Sequence, residues 1–280
     1  MMVRKISRPL LYVLLMAVTA IFGIPVLWTI TSSLKPEAEI VQYPPKWLSE
    51  SPTLWNYTAV LERFPFFQWM MNSLIVAVVA TVIVLILNSL AAYALARLNF
   101  RGKKFLLTLI VSMLLIPMQI DVIPLFIFFS HFEWTDSYAA LILPTTANVT
   151  GVYLLTQFFK SIPKDLEEAA RIDGCSDFRI WAQIILPLSK PVLSAVAIIT
   201  FVSSWNSFLW PLIATNSDAT KTLPVGMAQF MSAHAGASGS APAYGITLAA
   251  SVMASLPTLI VFIVLQKYFV RGVTSSGVKG

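Results

Sequence analysis

The side chains with chemical capacity are few and unevenly placed. Residues 167–187 read EEAARIDGCSDFRIWAQIILP, and with Asp165 just ahead they gather Glu167, Glu168, Asp173 and Asp177 with Arg171 and Arg179. Carboxylates and guanidinium groups at this density make ionic and hydrogen-bonded contacts with another surface. General acid–base work would need them converging on a reacting group in a pocket. The chain has one cysteine, Cys175, and two histidines, His131 and His234. Neither an internal disulfide framework nor a cysteine or histidine metal site is expected from so few. The phosphate loop G-x-x-x-x-G-K-[ST], the G-x-S-x-G elbow and the H-E-x-x-H helix do not occur. His131, in HFEWTDS, and His234 read as solvated loop residues.

A second group is polar and neutral. Thr145, Thr146, Asn148 and Thr150 follow Pro144, and Ser203, Ser204, Asn206 and Ser207 surround Trp205. Hydroxyls and amides exchange hydrogen bonds with a hydroxyl-rich solute without holding a charge, and an aromatic face stacks on a sugar ring. The same groups also act as hydrogen-bonding glue between membrane helices, which accounts well for Ala250/Ala254 and Ser251/Ser255. For the cluster around Trp205 both readings stand. Asp121 is the one acid well inside an apolar run, between Pro117 and Pro124. It reads either as the start of a helix resumed after a proline break or as a polar group lining a path.

The elements that position these groups follow from composition. Of 280 residues, 57% are hydrophobic and 11% charged, with a mean hydropathy of +0.77, which lies outside the range of soluble domains. A membrane crossing needs about 20 apolar residues. Six such runs are expected to be helices: 9–31, 71–96, 105–130, 138–159, 191–214 and 246–270. The expected fold is an all-α membrane protein, a single transmembrane domain over 1–280 with a loop at 160–190. Arg4, Lys5 and Arg8 precede the first run, and Val18-Thr19-Ala20 resembles a signal-peptidase site, but the apolar stretch continues to Trp28 and reads as a retained span.

Six spans place the termini and the second and fourth loops on one side. That side holds 15 of the 19 lysines and arginines, leaving Lys35, Lys46, Arg63 and Lys221 opposite. By the positive-inside rule, the termini and loop 160–190 are cytoplasmic. The net charge of +6 then reflects topology and anionic lipid, not nucleic acid.

Loop 160–190 has helical grammar. Pro163 suits a first turn, Asp165, Glu167 and Glu168 suit the positive end of a helix dipole, and Glu167 and Arg171 are spaced to pair across one turn. Leu166, Ala169 and Ala170 share a face, and Gly174 suits a left-handed helix end. Phe178, Trp181, Ile184 and Ile185 follow as packing residues before Pro187 and Pro191. An interfacial anchor helix would carry lysines opposite bulky apolar residues. Acids and alanines instead suit docking on another protein.

The pattern Glu168-Ala169-Ala170, three residues, Gly174, nine residues, Ile184, one residue, Leu186-Pro187 resembles the EAA loop of ATP-binding-cassette importer permeases. NSLAAYALARLNFRGKK (88–104), IPMQIDVIPLF (116–126), SSWNSFLWPL (203–212) and KYFVRGVTSSGVKG (267–280) are similar to the smaller permease of maltose-type carbohydrate importers. The resemblance implies a type I importer permease in a bacterial or archaeal cytoplasmic membrane, one half of a translocation path with a second homologous permease. It also implies a loop that seats in a cleft of a cytosolic ATPase dimer through Glu168, Ala169, Ala170, Asp173, Gly174, Ile184, Leu186 and Pro187. An extracytoplasmic solute-binding protein would be met by loop 232–245, which as a sequence also reads as a plain flexible linker. The chain would bind no cofactor itself, with ATP and magnesium on the ATPase. The substrate-path candidates are Asn148, Thr150, Ser203, Trp205, Asn206 and Ser207; many members of that family carry an acid where this chain has Ser207, which weakens the carry-over of a specific substrate contact. Residues 34–70, with YPPKW, read as an interfacial loop with short helices, and Trp28, Trp47, Trp69, Trp134 and Trp210 as interfacial anchors. The alternatives are a secondary transporter working alone, which would want intramembrane charges and inverted repeats, an importer of a non-sugar solute such as glycerol phosphate, and, more remotely, a membrane enzyme.

Overall fold

The computed structural model describes residues 8–236 and 243–276. Arg4, Lys5, Lys279 and the middle of loop 232–245 lie outside the described residues. Among those described there is no strand. The helices in order are α1 (Arg8–Ser33), α2 (Glu37–Ile40), α3 (Trp55–Arg63), α4 (Phe66–Arg97), α5 (Lys103–Met113), α6 (Val122–His131), α7 (Tyr138–Thr146) and α8 (Val149–Ser161). They continue with α9 (Asp165–Ile172), α10 (Asp177–Ile180), α11 (Leu186–Leu188), α12 (Lys190–Trp205), α13 (Leu209–Ala214), α14 (Leu223–Gly236) and α15 (Tyr244–Ser276).

Among the described residues, four segments are each long and apolar enough to cross a bilayer: Pro9–Ser33, Phe66–Arg97, Tyr138–Ser161 and Tyr244–Gln266. A fifth is the bent pair Asp177–Leu188 and Lys190–Trp205, which meet at 81°. The run at 105–130 is broken, in line with the reading of Asp121 as the start of a helix resumed after a proline break. Tight turns (Leu114 N to Val111 O, 3.1 Å; Ile116 N to Met113 O, 3.2 Å) close α5 before Pro117. Proline has no N–H and clashes with the carbonyl four residues back. A 3-10 turn, Met118–Ile120, then leads into α6. The run at 191–214 is likewise divided, into α12 and α13. At that break Asn206 turns its amide back to donate to the Val202 carbonyl at 2.8 Å, a side-chain bond that competes with helix continuation. Helix α14 extends to Gly236, so the start of the expected flexible stretch at 232–245 is helical.

The chain divides into two compact units. In the unit formed by 1–67 and 227–256, the segment after α1 folds on itself with short helices, as expected. Asn56 Nδ2 donates to the Ser33 and Lys35 carbonyls (2.8 and 2.9 Å). Lys35 is buried; its Nζ lies over the Trp28 ring, 4.4 Å from the centroid, and donates to the Lys46 carbonyl at 2.5 Å. Burial pushes the Lys35 ammonium pKa down, partly opposed by Glu39. The Glu37 carboxylate accepts from the Tyr244 and Gly245 amides, both at 2.9 Å, and so complements the positive N-terminus of α15. Gly245 permits this approach: a Cβ there would meet the Asn56 side chain at 2.7 Å.

The second unit, 68–226 with 257–280, carries the charged loop. Its core joins Val84, Ala92 and Tyr93 of α4, Leu155 and Phe159 of α8, Ala170 of α9, Ile180 of α10, Trp181 and Ile185 between α10 and α11, and Val196 of α12. The loop is therefore folded onto the spans.

Candidate functional site

Helix α9 begins just after Pro163, with Lys164 as N-cap and Asp165, Glu167 and Glu168 in its first turn. Its end is a complete Schellman closure. The Gly174 amide donates to the Arg171 carbonyl at 3.0 Å, and the Cys175 amide donates to the Ala170 carbonyl at 2.9 Å. Gly174 takes φ +79, the left-handed conformation its position requires, and nothing lies within 4 Å of where a Cβ would sit. A substitution there meets backbone strain, not crowding. Ser176 caps α10 by accepting from the Arg179 amide. A π-helical stretch, Trp181–Ile185, continues through α11 to the bend at Ser189.

The face that Leu166, Ala169 and Ala170 share by spacing is divided by the fold. Leu166 and Ala169 are exposed, while Glu167 and Ala170 face the core. Glu167 does not pair with Arg171. Glu167 Oε1 lies 2.6 Å from Arg97 Nε, with the two side chains 7% and 3% exposed. Arg171 instead reaches Asp177 at 2.5 Å. Arg97 also donates through Nη2 to the Ile162 carbonyl at 2.6 Å. Burial pushes the Glu167 carboxyl pKa up; Arg97 and then Arg171 pull it back only in part. A guanidinium on a transmembrane helix overrides the local i,i+4 pairing because a buried acid needs a buried counter-charge.

What remains outward is a small surface: Asp165, Leu166, Glu168, Ala169, Ile172 and Asp173 are exposed, Ile172 at 87%. Ile184 and Leu186 are half-buried and pack on the core, and Pro187 is exposed. Trp181 and Ile185 are buried, whereas Phe178 is exposed with its ring 5.1 Å from that of Trp181. The structure thus brings Glu168, Ala169, Asp173 and Gly174 to one exposed stub and turns Ala170, Ile184 and Leu186 inward as its support.

The neutral polar group separates into two kinds. Asn148 is the N-cap of α8: its Oδ1 accepts from the Gly151 amide at 2.7 Å, its Nδ2 donates to Thr200 Oγ1 at 3.3 Å, and its carbonyl accepts from Asn88 Nδ2 at 2.8 Å. Gly151 keeps this crossing close, since a Cβ there would lie 2.3 Å from Asn88 Nδ2. Thr145 and Thr146 bond back to their own helix, to the carbonyls of Ile142 and Leu143. Trp205 is buried and stacks on Phe201, with ring centroids 6.0 Å apart and planes at 10°. Thr150, Ser203 and Asn206 are exposed and Ser207 is half-buried. Asp121 stands at the N-cap of α6 without a side-chain capping bond, and it is exposed.

A further polar corner links 132–138 to 215–223. The Asp136 carboxylate accepts from the Asn216 amide (3.0 Å), the Ser217 amide (3.2 Å) and the Thr220 hydroxyl. Burial pushes this carboxyl up, but the hydrogen bonds from Thr220, Ser217 and the two amides outweigh it and hold the pKa at about 2. Asn72 donates to the Ala219 and Lys221 carbonyls (3.0 and 2.9 Å) and accepts from the Tyr138 hydroxyl at 2.7 Å. Arg97, Asn88 and Thr200 were not among the sequence candidates. The available signal was an arginine and an asparagine within one long apolar helix, where each polar group needs a partner.

The chain has counterparts among known proteins. Residues 88–275 match the family of binding-protein-dependent transport system inner membrane components. The chain is 33% identical over 283 residues to the arabinooligosaccharides transport system permease protein AraQ of Bacillus subtilis, covering 99% of this chain and 97% of AraQ. It is 34% identical over 274 residues to the trehalose/maltose transport system permease protein MalG of Thermococcus litoralis, covering 95% and 94%. A crystal structure of a bacterial ABC transporter involved in import of the acidic polysaccharide alginate superposes with a TM-score of 0.80 over 96% of this chain and 100% of that one, at 24% identity, a likeness of fold.

Proposed function

Because the chain belongs to the family of binding-protein-dependent transport system inner membrane components, we propose that it carries a carbohydrate through the membrane and takes its drive from a cytosolic ATPase seated on α9. The protein is a multi-pass inner-membrane permease subunit of an ATP-driven importer; it is not itself an enzyme, and hydrolysis belongs to a separate subunit. ATP and magnesium are held by that ATPase dimer, a second homologous permease completes the path, and an external binding protein delivers the solute. The chain crosses six times, with α5–α6 and α12–α13 each making one interrupted crossing, and both termini lie in the cytoplasm.

The observation that carries the docking reading is the two-faced stub. Glu167 and Ala170 are buried on the spans, and Glu168, Ala169, Ile172 and Asp173 are offered outward. A helix that served only as a lipid anchor would bury its apolar residues in the interface and keep lysines above them. For the path, Thr150, Ser203, Asn206 and Ser207 meet solute hydroxyls, while Asn148 and Trp205 hold the backbone around them. The carbohydrate class rests on the solutes named for the two relatives and on the neutral character of these groups, which suits uncharged polyols.

The test is uptake by the complex in lipid vesicles containing ATP, with proton and sodium gradients dissipated. Sugar uptake that persists, together with hydrolysis stimulated by loaded binding protein, is expected. Uptake by this chain alone, driven by a gradient, would support a secondary transporter. Uptake confined to a phosphorylated solute would replace carbohydrate by that class.

A further inference from the structure

Helix α4 ends against the charged loop through a contact that docking does not require. Arg97, in the last turn of α4, pairs with Glu167 at 2.6 Å and donates to the Ile162 carbonyl at 2.6 Å. One turn earlier, Tyr93 is buried in the same core as Ala170. Glu167 lies beside Glu168 on α9 but faces the opposite way, inward. A buried ion pair is a costly way to hold two helices together, since apolar residues of similar volume do so as well or better. Its distinguishing property is direction: it resists separation along one line and fixes register, whereas apolar contacts slide.

We propose that Arg97 and Glu167 are positioning residues forming a strut, through which displacement of the docking helix α9 is passed to α4 and the spans packed on it. The inference rests on the docking reading of α9 given above. It assigns the two consecutive glutamates different tasks: Glu168 meets the ATPase, and Glu167 transmits. Pairwise attraction alone would have been met by Arg171, four residues along the same helix, but an intrahelical pair transmits nothing to a span. Arg171 is engaged instead by Asp177, which leaves Glu167 for Arg97.

The test removes both charges together, so that neither is stranded in the core. In a Cys175→Ser background, Arg97→Cys with Glu167→Cys is reconstituted with its ATPase, second permease and binding protein. Three quantities are read at matched membrane levels: ATPase retention, basal hydrolysis and solute taken up per ATP hydrolysed. Retention and basal hydrolysis are expected to stay near the parent, while uptake per ATP falls on the order of tenfold, the usual scale of a coupling energy. A short bifunctional maleimide joining the two cysteines is expected to restore most of the loss, and the same reagent on Arg97→Cys alone to restore none. Parental uptake per ATP in the double variant would overturn the strut, because packing alone would then suffice. Loss of ATPase retention that the linker does not reverse would also overturn it, making the pair a support for the docking face only. If the double variant does not accumulate, Glu167→Gln keeps the shape and is read in the same way, with a parental ratio again overturning the proposal. Failure of the docking reading is separately visible: Glu168→Ala and Gly174→Val would then keep both ATPase and uptake.

Discussion

The two ends of helix α4 are held by opposite kinds of chemistry. The helix has 32 residues and is roughly 48 Å long at the α-helical rise. At its start, Asn72 and Ser73 bond to the backbone of 219–223, including the Leu223 amide to Ser73 Oγ at 2.8 Å, and Trp69 packs against Gly226 so closely that a Cβ there would fall 2.3 Å from the indole. At its end, Arg97 holds a carboxylate on a short helix whose other face is bare. The side chains α4 supplies here are neutral and bond to carbonyls and amides, and with the nearby Asp136 carboxylate they form a fixed corner of modest individual bonds. A single buried ion pair to a small exposed helix is a point of attachment for something that moves. Stability and transmission are thus placed at separate ends of one helix.

The sharpest way to break that contrast is at Gly174. Gly174→Val forces a β-branched residue to φ +79, at a cost of about 1–2 kcal/mol for the backbone alone, and opens the Schellman closure that aims α9. We expect ATPase co-purification and uptake to fall by more than about tenfold with membrane abundance near normal, whereas Gly174→Asn, which tolerates the left-handed region, should keep part of both. Loss of abundance instead of retention would show that the loop folds the protein and does not dock it.

The fixed corner should respond in the other currency, stability. Asp136→Asn removes the charge that four hydrogen bonds hold at a pKa of about 2, and about 1–3 kcal/mol of stability should go with it, read as a lowered Tm in detergent with uptake per complex unchanged. The depressed pKa also sets a pH window. The stabilisation is present in full above the ordinary value of 3.8 and is lost as pH falls from there through about 2. The wild-type Tm should therefore drop over that range by more than that of Asp136→Asn. Equal drops would place the acid sensitivity elsewhere.

Glu168→Ala should be smaller in stability than any of these, because the side chain is exposed, yet visible as weakened ATPase retention by co-purification. Smallest of all, Tyr138→Phe deletes one hydroxyl bonded to Asn72 and should lower stability by about 1 kcal/mol with transport untouched. A transport defect there would mean that the corner is also part of the moving machinery.

Much of the architecture was legible beforehand because it rests on one-dimensional quantities. Apolar run length marked the long helices α1, α4 and α15, lysine and arginine placement suggested an orientation, and a glycine at the right offset ended α9 as expected. Prolines 117 and 124 around Asp121 already pointed to a break within 105–130, whereas the run at 191–214 gave no such proline signal at Asn206, because hydropathy averages over a break that geometry does not. The partner of Glu167 was not legible. Arg171 and Arg97 satisfy the same charge rule, and local spacing favours the nearer; only the fold shows that α9 turns Glu167 inward to a guanidinium 70 residues away. The same holds for Asn148 and Trp205, whose residue types fit a solute path but whose bonds to Asn88, Gly151 and Thr200 and stack on Phe201 no local spacing foretold. The sequence by itself determined which segments are apolar and helical and which residue types it offers to a partner, since both follow from solvation and local backbone preference. Which polar groups pair with one another, and which remain free to meet a partner or solute, only the tertiary structure decided, because burial is set by helices distant in sequence.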